Sequence, residues 1–176
     1  MSESVSERTI GWASLVQISV FAGGVAAAVE MMIVLPVQSA LGATPAQVFQ
    51  GIAAGALGAR AAFHGGAAAA ALGVAVHLLV SIVAAGLYAR AAVQWPTLAR
   101  RPLIWGPLYG VACYGVMNLV VIPLSRIGFT PPRSFALWSA SFAVHLFFFG
   151  LPIALIVAIW RGYRFGRMGT TAQAAG

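Results

Sequence analysis

From Ala67 to Arg90 the chain carries no charge until the closing arginine, and His77 is its one histidine. At about 1.5 Å per residue, such a run is long enough to cross the hydrocarbon layer of a bilayer as a helix. Inside lipid every backbone polar group must be satisfied within the segment, so an uninterrupted apolar run of this length admits essentially one local structure. Three further runs are similar. Spans are expected at about residues 12–36, 67–90, 104–124 and 135–160, within a single membrane domain over residues 1–176. The fold class that follows is an all-α integral membrane protein with four transmembrane helices.

Composition supports this. The chain is 61% hydrophobic and only 7% charged, where a soluble domain carries roughly a quarter charged residues. All ten cations are arginine, and the net charge is +7. These arginines lie between and beyond the apolar runs, where anionic headgroups are the nearest partners, so the lipid bilayer and not nucleic acid explains the charge. Cys113 is the only cysteine, which excludes an intramolecular disulfide and a cysteine-rich metal centre. The polar start, MSESVSERT, lacks the basic region and cleavage site of a signal peptide, so the first span is expected to be retained.

The first run, WASLVQISVFAGGVAAAVEMMIVLPVQ, contains Glu30, and Pro36 marks its end or a kink. Gly23 and Gly24 present a thin helix surface, as do Gly106 and Gly110 in the third run, and these are the expected packing contacts. Residues 45–63 are helix-forming but too polar for a full span, with Gln47, Gln50 and Arg60. An interfacial helix or a re-entrant one both fit, the interfacial form being preferred.

Arginine placement gives an orientation. Arg8, Arg90, Arg100, Arg101, Arg161, Arg164 and Arg167 fall on one side, against Arg60, Arg126 and Arg133 on the other. The positive-inside rule then puts both termini in the cytoplasm. The five tryptophans fall near the expected span ends, at headgroup level.

The two halves echo one another. GVAAAVEMMIVLP (24–36) resembles GVMNLVVIP (115–123), GATPAQVF (42–49) resembles GFTPPRSF (128–135), and AVHL at 75–78 recurs at 143–146. The order is the same each time, with about eighteen extra residues in the first half. The reading is two tandem, parallel two-helix repeats with the extra helix inserted after the first span.

Ionisable groups within spans are expensive and by default functional. Counted from the expected outer span ends, His77 and His145 lie about 15 Å deep and Glu30 about 9 Å deep. Packing imidazoles bonded to carbonyls or serines are the plain reading. As a pair, His77 and His145 could bind a cofactor, ligating a non-covalent b-type haem axially, since there is no C-x-x-C-H attachment motif. With Glu30 they form a set suited to a transition metal, provided a kink or tilt closes the depth difference of about 6 Å. A proton or quinone pocket is a further reading. Glu30, His64 and Asn118 form the candidate proton-handling or polar cluster, with His64 expected at an outer edge as an exposed cap.

The features VEMMIVLP at 29–36 and AVHL at 143–146 carry a resemblance. In them this chain resembles a group of small bacterial inner-membrane proteins with four spans and no assigned chemistry. The resemblance implies the four-span fold and a bacterial inner-membrane location; it implies no mechanism. Three functional readings follow from the residues. The first is a non-enzymatic accessory subunit bound to another membrane protein or to itself. The second is a haem- or quinone-linked redox subunit using His77 and His145. The third is an oligomeric proton-coupled transporter or channel using Glu30.

Overall fold

The computed structural model describes residues 11–128 and 134–173, with side chains to residue 162. The described residues form helices and no strand. Four helices are long and apolar enough to cross a membrane: Trp12–Ala40, Gly66–Gln94, Pro102–Leu124 and Phe135–Gly162. In chain order they comprise α1 (Trp12–Ala40), α4 (Gly66–Gln94), α6 (Pro102–Val116) continuing into α7 (Ile122–Leu124), and α8 (Phe135–Val144) with α9 (Leu151–Gln173). Arg8, Arg133 and most of the GFTPPRSF segment lie outside the described residues, as do the side chains of Arg164 and Arg167.

The first span is longer than its sequence suggests. Pro36 neither ends nor caps α1, which continues to Ala40 with the proline inside it. Proline removes one amide donor, but a chain in an apolar setting has no water to satisfy the backbone beyond it, so continuing the helix satisfies more groups than stopping. Leu41 and Gly42 then close the helix by donating to the carbonyls of Gln38 and Ser39.

Residues 45–64 form two short helices, α2 (Pro45–Leu57) and α3 (Ala59–His64). Thr44 starts α2 with a capping box. Its Oγ1 accepts from the Gln47 amide at 3.3 Å, and its own amide donates to Gln47 Oε1 at 2.8 Å. Pro45 sits at the first helical position, where its missing donor is not needed. Gly58, at φ +83°, splits the segment, because the left-handed region open to glycine lets the chain leave α2 and start α3 directly. The α2 helix lies on the start of α4. Gln50 Nε2 donates to the Gly66 carbonyl at 3.0 Å, and the Phe49 carbonyl fills the space where a Cβ on Gly73 would stand. At this same end Arg126 N donates to the Gly55 carbonyl at 3.0 Å, and Ile127 covers the small core of Ala53, Ala54 and Ala62.

The spans pack as two close pairs joined at the centre: α1 against α4, and α6 against the fourth span, with α1 also touching the fourth span. Small residues make the close pairs. A Cβ on Gly23 would stand 2.5 Å from Ile82 Cα in α4, and one on Gly106 would stand 2.8 Å from Leu151 Cα. Gly110 and Gly150 meet backbone atoms of the facing helix in the same way. Gly24 has no neighbouring atom within 4 Å and takes no part in this packing. Glycine at such positions removes the side chain that would hold two helices apart, so backbones approach and dispersion contacts accumulate. The larger core lies between α1, α4 and α9, built from Ile18, Ala85, Tyr88, Ile153 and Val157 among others.

Two of the spans contain π-helical segments, at Met117–Val121 and His145–Gly150. Such segments carry one extra residue per turn and recur at functional sites. One begins at His145 itself.

A buried carboxylate between two histidines

Glu30 is 5% exposed, on the buried face of α1 with Ala26 and Ala27. Its two oxygens address two imidazoles from two other spans. Oε2 lies 3.8 Å from His77 Nε2 in α4, and Oε1 lies 3.6 Å from His145 Nε2 in the fourth span. Both separations exceed a hydrogen bond but leave too little room for a water between the groups. A movement of under about 1 Å would make either contact a charge-assisted hydrogen bond.

The depth difference expected from the sequence arose from the boundary placed at Pro36. Four further residues of helix add about 6 Å at 1.5 Å per residue, which puts Glu30 level with both histidines.

Hydrogen bonds assign the imidazole protons. His145 Nδ1 lies 3.0 Å from the Ser141 carbonyl, one turn earlier. A carbonyl only accepts, so Nδ1 carries the hydrogen and the Nε2 lone pair of the neutral ring faces Glu30. His77 Nε2 lies 3.4 Å from the Ala27 carbonyl and therefore carries its hydrogen there, beside the carboxylate. Glu30 thus stands between one imidazole whose Nε2–H is directed to the Ala27 carbonyl and one whose Nε2 lone pair faces the carboxylate.

The third span closes the site. The Tyr114 ring meets the His145 ring edge-on at 5.2 Å and also packs on Phe142 and Trp138. Cys113, beside it in the sequence, is half-buried. Tyr109, one turn back, donates to the Ala84 carbonyl at 2.7 Å and ties α6 to α4. No local signal in the sequence distinguishes Tyr114 from packing residues in an apolar run.

The other two expected cluster members each bond to a carbonyl one turn back in their own helix. His64 is exposed at the end of α3, its Nδ1 donating to the Arg60 carbonyl at 2.9 Å. Asn118 Nδ2 donates to the Tyr114 carbonyl at 2.9 Å, a bond within its own helix at the π-helical segment.

For axial haem ligation both Nε2 atoms would have to address one iron, whereas here both address the Glu30 carboxylate. Among the described residues no three His, Cys, Asp or Glu side chains are arranged to hold a metal ion. What the arrangement offers as it stands is a place for a proton. With Glu30 protonated, its O–H faces the His145 lone pair; with the proton on His145, an imidazolium faces a carboxylate.

No protein-family profile matches the chain, and no curated protein or solved structure matches it either.

Proposed function

We propose that this protein is a proton-coupled membrane transporter or channel, in which His77, Glu30 and His145 together hold and pass the proton. The observation that carries the reading is one buried carboxylate with each oxygen facing an imidazole from a different span. An ionisable residue in a span is costly unless it faces the bundle interior and finds partners, and this one does both. The Glu30 carboxylate and the His145 Nε2 lone pair give a proton two acceptors within reach of one small movement, with His77 beside the carboxylate on its other side. The small-residue faces that favoured an accessory subunit are largely taken up inside the bundle, with Gly23 on α4 and Gly106 and Gly110 on the fourth span.

The finer architecture belongs to the same reading. Two tandem two-helix repeats account for the recurrence of AVHL and for both of its histidines addressing one carboxylate. The α2–α3 segment is then an insertion in the first repeat, and its capping box and exposed Arg60 and His64 suit an interfacial position. The bacterial inner-membrane location rests on the four-span resemblance, and the arginine distribution supports cytoplasmic termini. Four spans are few for alternating access by one chain, so the active form is an oligomer.

The test is proton flux into liposomes carrying the purified protein and an entrapped pH dye. Glu30→Gln, with helicity and elution volume unchanged, is expected to lose most of the flux. Undiminished flux in that variant would remove Glu30 as the proton carrier.

A further inference from the structure

A cavity of about 460 Å³ opens between α4, the short helix α5 (Thr97–Arg100) and α6, at the end of the bundle away from α2. Its walls include Tyr88, Trp95, Leu98, Trp105, Leu108 and Tyr109. The volume is that of a small-molecule site, and both of its tyrosine hydroxyls are engaged: Tyr88 Oη donates to the Leu98 carbonyl at 3.0 Å and Tyr109 Oη to the Ala84 carbonyl at 2.7 Å. Apart from the Thr97 hydroxyl and the two indole N–H groups, the walls offer an occupant hydrocarbon and ring faces.

The rim is different. Arg100 and Arg101 come two and three residues after the cavity wall at Leu98, and both are exposed. The Arg101 carbonyl accepts from the Trp105 amide at 3.1 Å, so this turn joins the arginine pair to the cavity edge. Trp95 is 61% and Trp105 37% exposed, as expected of indoles at headgroup level. Glu30, the one acid among the described residues, is committed to the histidines, so no described carboxylate neutralises these arginines.

We infer that this is a binding site for an anionic phospholipid, one acyl chain in the cavity and the phosphate against Arg100 and Arg101. The two halves of the site match the two halves of that molecule. Basic surface beside a crevice between transmembrane helices is the arrangement that selects anionic headgroups, and a neutral lipid would satisfy only the apolar half. The cavity is distinct from the proton site: Glu30, His77 and His145 do not line it.

The experiment uses the full chain in bilayers with Trp105 as the only tryptophan, the other four replaced by phenylalanine. Quenching by brominated phosphatidylglycerol is compared with quenching by brominated phosphatidylcholine. A preference for phosphatidylglycerol on the order of tenfold is expected, given two arginines at the surface. Arg100→Gln with Arg101→Gln should abolish it, and inorganic phosphate in solution should leave it intact. A chain with Trp138 alone, which reports the opposite end, should show no preference. Equal quenching by the two lipids, a preference that survives the double substitution, or one erased by free phosphate would each overturn the site. Should the tryptophan variants fail to fold, native mass spectrometry of the unaltered chain decides. Retention of phosphatidylglycerol over phosphatidylcholine, lost in the double arginine variant, supports the site; equal retention overturns it.

Discussion

Gly110 lies directly against the backbone carbonyl of His145, leaving no space for a Cβ between the third and fourth spans. The contact joins packing to chemistry, because the same residue that sets the helix separation fixes the height and rotation of an imidazole facing Glu30. His145 also opens a π-helical segment, so its backbone carbonyl sits where the regular helix is interrupted.

Substituting these glycines should separate packed positions from open ones. Gly110→Ala forces a methyl group onto backbone and is expected to cost about 1–3 kcal/mol. Gly24→Ala meets nothing within 4 Å and should instead gain about 0.5–1 kcal/mol from helix propensity. Reversible unfolding in mixed micelles measures both. The same sign for the two would show that Gly110 does not set the helix separation.

Coupling between Glu30 and His145 should be measurable as a free energy. A double-mutant cycle with Glu30→Gln and His145→Ala is expected to give an interaction of about 0.5–3 kcal/mol, the range for residues in one polar network. The corresponding cycle of Glu30→Gln with His64→Ala should be additive, since His64 is exposed on α3 and bonded to Arg60. Additivity in both cycles would contradict the central site.

The tyrosine hydroxyls each join two helical segments and can be tested without changing ring packing. Tyr109→Phe removes the bond to the Ala84 carbonyl, and Tyr88→Phe removes the bond to the Leu98 carbonyl. Each should lose about 0.5–1.5 kcal/mol in the same unfolding assay. A loss below measurement error in both would mean that the hydroxyls contribute nothing net.

Amide exchange should expose the π-helical segments. Residues 117–121 and 145–150 interrupt the regular i to i−4 ladder, so they are expected to exchange faster than the centre of α4 at matched depth. Uniform protection along all four spans, read by mass spectrometry in lipid nanodiscs, would argue against a locally weakened helix at His145.

The recurrence of AVHL drew attention to His77 and His145, and Glu30 stood out as a carboxylate in an apolar run; all three meet in the structure. Their meeting was obscured by one proline. Ending the first span at Pro36 lifted Glu30 about a helical turn above the histidines, and only the continuation of α1 to Ala40 restores the common level. Sequence alone does not weigh a lost amide donor against an apolar surrounding that favours continued helix. Tyr114 and the two π-helical segments are illegible for a different reason, since nothing in their neighbouring residues differs from ordinary packing sequence.

Four long apolar helices are written into the residues, because hydropathy summed over about twenty residues is a local property and lipid leaves the backbone few alternatives. Which side chains meet is a matter of packing. Depth and rotation depend on where each helix ends and how closely its neighbours approach. Those were set by Pro36 lying inside α1 and by Gly23, Gly106 and Gly110 at the contacts, through steric fit between helices distant in sequence.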